Sequence, residues 1–226
     1  MFKYIKYLLL YSLLLIHSCK WYQDVIKPVQ DQAYNTFYQD FNGYEDRPVV
    51  NFSIDTEKKF DAFMHAFQEI LHEMEERIQK YQDEKKKNPA LVEYAPIPSY
   101  KKKVSKLIGF IEWISKDKLR QKELADNFTY VYNFLDQKRQ LYSNNTTMTQ
   151  YISNAFKCHK DDSKCEMAAQ KYGNHHQGNN IHEFFYLIVD FTYTQDTYEK
   201  MFQEIIKELD PDKSGPIHEL EDWEWI

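Results

Sequence analysis

Glycine and proline are scarce, at five and seven residues in a chain of 226. Average usage is about 7% glycine and 5% proline, so turn-dense all-β folds and folds built on glycine-rich nucleotide loops are disfavoured. No GxGxxG, GxxxxGKS/T, GxSxG or HExxH pattern occurs, which removes the common nucleotide-binding and hydrolase signatures. Cysteine is down to three residues. No apolar run reaches the ~20 residues that a membrane-spanning helix needs. Aromatic side chains, by contrast, are plentiful: 18 Tyr and 15 Phe argue against a disordered chain. A chain of this length can bury one core unaided.

The N-terminus carries an address. Lys3 and Lys6 precede an apolar run from Leu8 to Ile16, broken only by Tyr11 and Ser12. A charged start, a short apolar stretch and a small residue at its end read as an export signal over 1–18. The stretch closes on Ile16-His17-Ser18-Cys19. This resembles a bacterial lipoprotein signal, which implies cleavage before Cys19 and a lipid on its thiol; an ordinary export signal is the alternative. Three cysteines are an odd number, and lipidation of Cys19 leaves Cys158 and Cys165 as one pair across a polar turn. In an exported protein such a pair is expected to be a disulfide, because its spacing suits zinc poorly and no second ligand pair follows. The formal charge of −6 becomes −8 once the two lysines of the signal are removed.

Residues 19–50 show no sustained period and read as a tether. From there to residue 226 the hydrophobic spacing is helical. Phe60, Phe63, Met64, Phe67, Ile70, Leu71, Met74, Ile78 and Tyr81 recur at steps of three and four, which predicts a helix over about 55–83. Further helices are expected over about 99–115, 119–140, 147–158, 164–172, 181–193 and 196–209. The run from Phe184 to Phe191 suits a buried strand by content, yet no other segment looks like its partner. The expected architecture is therefore an all-α single bundle of about five to seven helices over 51–226.

Several constellations invite chemistry. Residues 210–221 fit the calcium-loop template, with Asp210, Asp212, Ser214, the Pro216 carbonyl and Glu221 as oxygen ligands and Gly215 at the turn. No second loop pairs with it, and Pro216 disfavours the helical dihedrals that the turn asks of Gly215. The competing reading is a Pro-Gly helix terminator followed by an acidic tail, so Ca2+ is the sole cofactor the sequence suggests, against none. His175, His176 and His182 with Glu183 lack a recognised metal spacing, and an exposed polar loop accounts for them. No carboxylate stands isolated on an apolar face, and no Ser/His/Asp or Cys/His set can be assigned, so an enzyme is not expected.

Charge is unevenly spread. Between Lys85 and Lys122 eleven basic residues face three acidic ones, whereas from Asp196 onward ten acidic residues face three basic ones. Lys101, Lys102, Lys103 and Lys106 form the densest basic stretch and are candidates for capturing a sulfated glycan or another anionic molecule; solvated helix faces are the plainer account. Export and a net negative charge conflict with nucleic-acid binding.

The segments Phe60 to Phe67, Phe110 to Lys118, Gln121 to Phe128 and Val131 to Leu135 carry a resemblance. With the anchor and the cysteine pair, the chain resembles the plasmid-encoded surface lipoproteins of Lyme-disease spirochaetes, in particular the virulent-strain-associated lipoprotein family of Borrelia. The resemblance implies a lipid-anchored protein on the cell surface at the outer membrane. It implies a role toward host or tick molecules in adhesion or immune evasion, and no catalytic residues to carry over. The alternatives are a calcium-binding exported protein or a passive surface antigen.

Overall fold

Nine helices build the described part of the chain. The computed structural model describes residues 52–224 apart from 94–95, 162–164, 166, 175–178 and 214. The signal at 1–18, Cys19 and the tether to residue 50 lie outside the described residues. The helices are α1 (Ile54–Lys87), α2 (Pro96–Ile114), α3 (Lys118–Asn127), α4 (Thr129–Tyr142), α5 (Met148–Lys160), α6 (Ala168–Tyr172), α7 (Asn180–Thr192), α8 (Tyr198–Glu208) and α9 (Ile217–Glu224). Among the described residues there is no strand, and no helix is long and apolar enough to cross a membrane. Phe184 to Phe191, which suited a strand by content, is helical within α7.

Local chemistry starts and stops these elements. Ser53 caps α1 by accepting from the Thr56 N–H at 3.0 Å, and the helix runs on through Lys85, Lys86 and Lys87, which complement its negative end. The expected breaker of lysines ahead of Pro89 is thus the last turn of the helix. A capping box closes the start of α5, where Thr147 and Gln150 exchange side-chain and backbone bonds. The single helix expected over 119–140 is two. At Phe128 the backbone sits at φ −75°, ψ −5°, and its ring is fully buried in the core.

The C-terminal segment corrects a second expectation. Residues 217–224 form a helix rather than a solvated acidic tail. Ile217, Leu220 and Trp223 recur at three-residue steps and all are buried; this stripe packs on α7. The acids occupy the other positions, which is why composition alone hides the helix.

The core gathers around α1, which at 1.5 Å per residue is about 50 Å long and packs against α2, α3, α5 and α7. Phe63 meets Phe128 edge-on at 5.2 Å and Phe185 at 6.0 Å, and Phe67 lies 6.2 Å from Phe110. All five rings are fully buried, each worth about 1.5–3 kcal/mol over exposure. The bundle thereby holds fixed the polar side chains that α1, α5 and α7 turn toward one another.

Candidate functional site

Glu73 lies on the apolar face of α1, one turn beyond Ile70, and is 5% exposed. It is the carboxylate that sequence reading did not isolate. The positional signal was available, since Ala66, Ile70, Glu73 and Met74 share one face, but the many acids elsewhere on α1 masked it. Arg77, a turn further on, donates to Oε1 of Glu73 through Nη2 at 2.7 Å and Nε at 3.1 Å. Oε2 of Glu73 faces Nε2 of His182 at 2.9 Å.

His182 is set by the start of α7. Asn179 caps that helix by accepting from the His182 N–H at 2.9 Å, while its own Nδ2 donates to the Ala155 carbonyl of α5 at 2.9 Å. One residue thus fixes both the entry of α7 and its distance from α5. One turn beyond Ala155 comes His159, whose ring stacks on His182 with centroids 3.5 Å apart and planes 7° from parallel. Phe156 meets His182 edge-on at 5.0 Å, and the Tyr186 ring lies nearly parallel to it at 5.8 Å. The corner after His159 is closed by a disulfide between Cys158 and Cys165, with Cα atoms 5.7 Å apart.

Electrostatics follow from burial and partners. Burial works against a charge on Glu73, but the hydrogen bond from His182 and the charges of His182 and Arg77 outweigh it and hold the carboxyl at about 2. Burial and the neighbouring His182 push His159 down to about 4, so near neutral pH its ring is uncharged. Ligand atoms of Glu73, His159 and His182 all lie within 4.8 Å of one another, the single such grouping of His, Cys, Asp or Glu among the described residues. An exposed polar loop was expected to account for His175, His176, His182 and Glu183; His182 is instead buried in α7, His175 and His176 lie outside the described residues, and Glu183 is not in the grouping.

Of the residues expected in the calcium loop, Ser214 lies outside the described residues. The Asp210 Oδ1 accepts from the Asp212 N–H at 3.1 Å, and its Oδ2 pairs with Lys213 at 3.5 Å. Glu221 engages Nδ1 of His218 at 2.7 Å, and the Pro216 carbonyl accepts from the Glu219 N–H at 3.0 Å. Oxygens of Asp210, Pro216 and Glu221 thus have partners within the segment that leads from α8 into α9.

The four lysines of α2 do not present one basic face. Lys103 is 3% exposed, its ammonium paired with Asp190 and 3.3 Å from the Tyr186 hydroxyl. Lys101 pairs with Glu93, and Lys106 donates to the Asp196 carbonyl at 3.3 Å above the Tyr198 ring. Lys102 is exposed, over the Tyr193 ring at 5.4 Å.

Ser153 on α5 joins His65 and Glu69 of α1, with Oγ 2.7 Å from His65 Nε2 and 2.5 Å from Glu69 Oε1. The Ser153 proton goes to the carboxylate, which can only accept, so Nε2 of His65 must donate to Oγ. A histidine that donates to the hydroxyl is not its general base, and the carboxylate does not orient the ring from its far side. This is a bridge between helices rather than a nucleophile.

Comparison with known proteins adds what geometry cannot. The chain is 28% identical over 211 residues to lipoprotein MlpJ of Borreliella burgdorferi, covering 92% of each protein. It is 46% identical over 56 residues to lipoprotein MlpB of the same organism, a quarter of each chain. The chain is a homologue of Borrelia lipoproteins. The likeness to spirochaete lipoproteins is borne out at that level. No family model and no solved structure matches the chain.

Proposed function

We propose that this protein is an outer-surface lipoprotein, held in the outer membrane by a lipid on Cys19, whose helical domain is a non-enzymatic binding module for a host or vector molecule in adhesion or immune evasion. The observation that carries the reading is the match to a lipoprotein along 92% of the chain, together with Cys19 placed three residues after the end of the apolar run at Ile16. The bundle supports a presenting role, since its aromatic core and capped helices hold surface side chains in fixed positions. Intact mass of the membrane-extracted protein, beside protease treatment of whole cells, tests it. A lipid-modified chain beginning at Cys19 and destroyed by external protease is expected; an unmodified chain beginning elsewhere overturns it.

For an anionic partner such as a sulfated glycan, Lys101 and Lys102 are the lysines of α2 with exposed side chains. Lys103 holds α2 to α7 instead. Salt-sensitive retention on a sulfated-glycan column is expected to fall for Lys101→Ala with Lys102→Ala while the melting temperature holds. Retention unchanged in that double variant removes the lysine stretch from the binding surface.

A further inference from the structure

Three helices, α1, α5 and α7, bring Glu73, His159 and His182 together, and the two imidazoles leave nitrogen atoms unanswered. Nδ1 of His159 and Nδ1 of His182 are both buried with no hydrogen-bond partner. Buried polar atoms in folded proteins nearly always have one, and two such imidazole nitrogens, in stacked rings 3.5 Å apart, are the donor type that a transition-metal ion takes. Nε2 of His182 faces Oε2 of Glu73 at 2.9 Å, so Nδ1 is the ring nitrogen turned away from the carboxylate. Metal-binding histidines are wired this way, with one nitrogen on the ion and the other N–H on a carboxylate. Arg77 holds the opposite carboxylate oxygen at 2.7 Å, so Glu73 is fixed in place as the orienting group.

We propose that Glu73, His159 and His182 form a binding site for a borderline transition-metal ion of the zinc and copper class, with ring nitrogens of His159 and His182 as ligands and Glu73 as the positioning carboxylate. The donor set decides the class. Imidazole nitrogen suits zinc, copper and nickel, whereas calcium takes six to eight oxygens and magnesium an octahedron of them. Two protein nitrogens leave open positions on the ion for water or an external ligand.

The stacking defines what loading must do. Zinc lies about 2.0–2.1 Å from a coordinating nitrogen and near the plane of its ring. One ion cannot lie in both planes when the rings are parallel and 3.5 Å apart. One ring therefore tilts on loading. His182 is 3% exposed and held by Glu73 through Nε2. His159 is only partly buried, in the last turn of α5, and is therefore the ring that turns and the side from which an ion enters.

The experiment is calorimetric titration of the full chain in detergent with ZnCl2, beside nitrogen-15 spectra of its histidine rings. One ion per chain is expected, with the Nδ1 signals of two histidines shifted. His159→Asn, at a partly exposed position, is expected to abolish that binding while the circular dichroism spectrum stays helical. Glu73→Gln is expected to weaken it by about 10–100-fold. His72→Ala, an exposed histidine paired with Glu76 at 3.0 Å on another face of α1, is expected to leave it unchanged. Absence of saturable zinc binding by the wild-type chain overturns the proposal, as does one-site binding that survives His159→Asn or is lost with His72→Ala. Unchanged affinity in Glu73→Gln removes the positioning role. These outcomes do not depend on the lipid at Cys19 or on any host partner.

Discussion

The Nε2 of His182 donates to Oε2 of Glu73 across 2.9 Å, joining residues 109 positions apart in the sequence. Their bond is buried at both ends, with side-chain exposures of 4% and 7%. Removing one member of such a pair is far costlier than the net worth of the pair, because the other is left without its partner in a low dielectric. Glu73→Ala is therefore expected to lower the unfolding free energy by about 3 kcal/mol, read from urea denaturation. Glu73→Gln keeps an acceptor oxygen for His182 and should lose less. Equal losses in the two variants would show that pairing with charge, not shape, sets the cost.

Gly109 on α2 lets Tyr198 of α8 lie against the helix backbone. A Cβ at this position would stand 1.8 Å from the Tyr198 hydroxyl and 2.5 Å from Cζ. The ring cannot simply swing aside, since it also packs on Trp113 at 6.4 Å and beneath Lys106. Gly109→Val is expected to cost about 1–3 kcal/mol by overpacking. Adding Tyr198→Ala should recover part of that loss. A pair of losses that simply sum would show that the two residues do not oppose each other.

Trp223 anchors α9 by meeting Phe134 of α4 edge-on at 5.5 Å, with the Lys138 ammonium 4.7 Å above its ring. Trp223→Ala is expected to destabilise by about 3–5 kcal/mol and to expose Phe134, detectable as increased binding of a hydrophobic dye. A loss below about 1 kcal/mol, within the range of ordinary surface substitutions, would mean that α9 is dispensable to the core.

The Cys158–Cys165 disulfide closes a loop with a sequence separation of 7, so it restricts the unfolded chain only modestly. Replacing both cysteines by alanine is expected to cost about 2 kcal/mol. Dithiothreitol should lower the melting temperature of the wild-type chain to that of the double variant and leave the variant unmoved. A reductant effect of equal size in both would place its action elsewhere.

Glu208 supplies the pH prediction. Its carboxyl is raised above 4.5, first by burial and then by Glu204, with Lys207 opposing. A folded-state value above the unfolded one means that the folded chain holds this proton more tightly. The stability it contributes is full below pH 4.5 and is lost as pH rises through the folded value. Glu208→Gln removes that loss, so the variant should gain melting temperature relative to wild type on going from pH 4.5 to 7. A constant difference across that range would show that the raised carboxyl is not the cause.

Helices with strong three- and four-residue spacing were legible from sequence, because a face such as Phe63, Phe67, Ile70 and Met74 must be buried whatever it packs against. Boundaries were less so. Phe128 carries no glycine or proline signal to mark the break between α3 and α4. The stripe of Ile217, Leu220 and Trp223 sat among acids that read as a tail. Lys101, Lys102, Lys103 and Lys106 read as one basic surface, yet Lys103 turns inward to Asp190 and Tyr186. Sequence spacing places a residue on a helix but not opposite a partner 83 residues away.

By itself the sequence determined the all-helical class, the helix faces and the likeness to spirochaete lipoproteins, since each depends on residues close together in the chain or on a pattern shared along its length. Only the tertiary structure decided that Glu73, His159 and His182 meet. Their encounter requires α1, α5 and α7 to pack at one level, set by rings such as Phe63 and Phe185 and by Asn179 bridging α5 to α7. No local periodicity encodes that level, because it arises from side-chain volumes contributed by distant segments and realised only when the core closes.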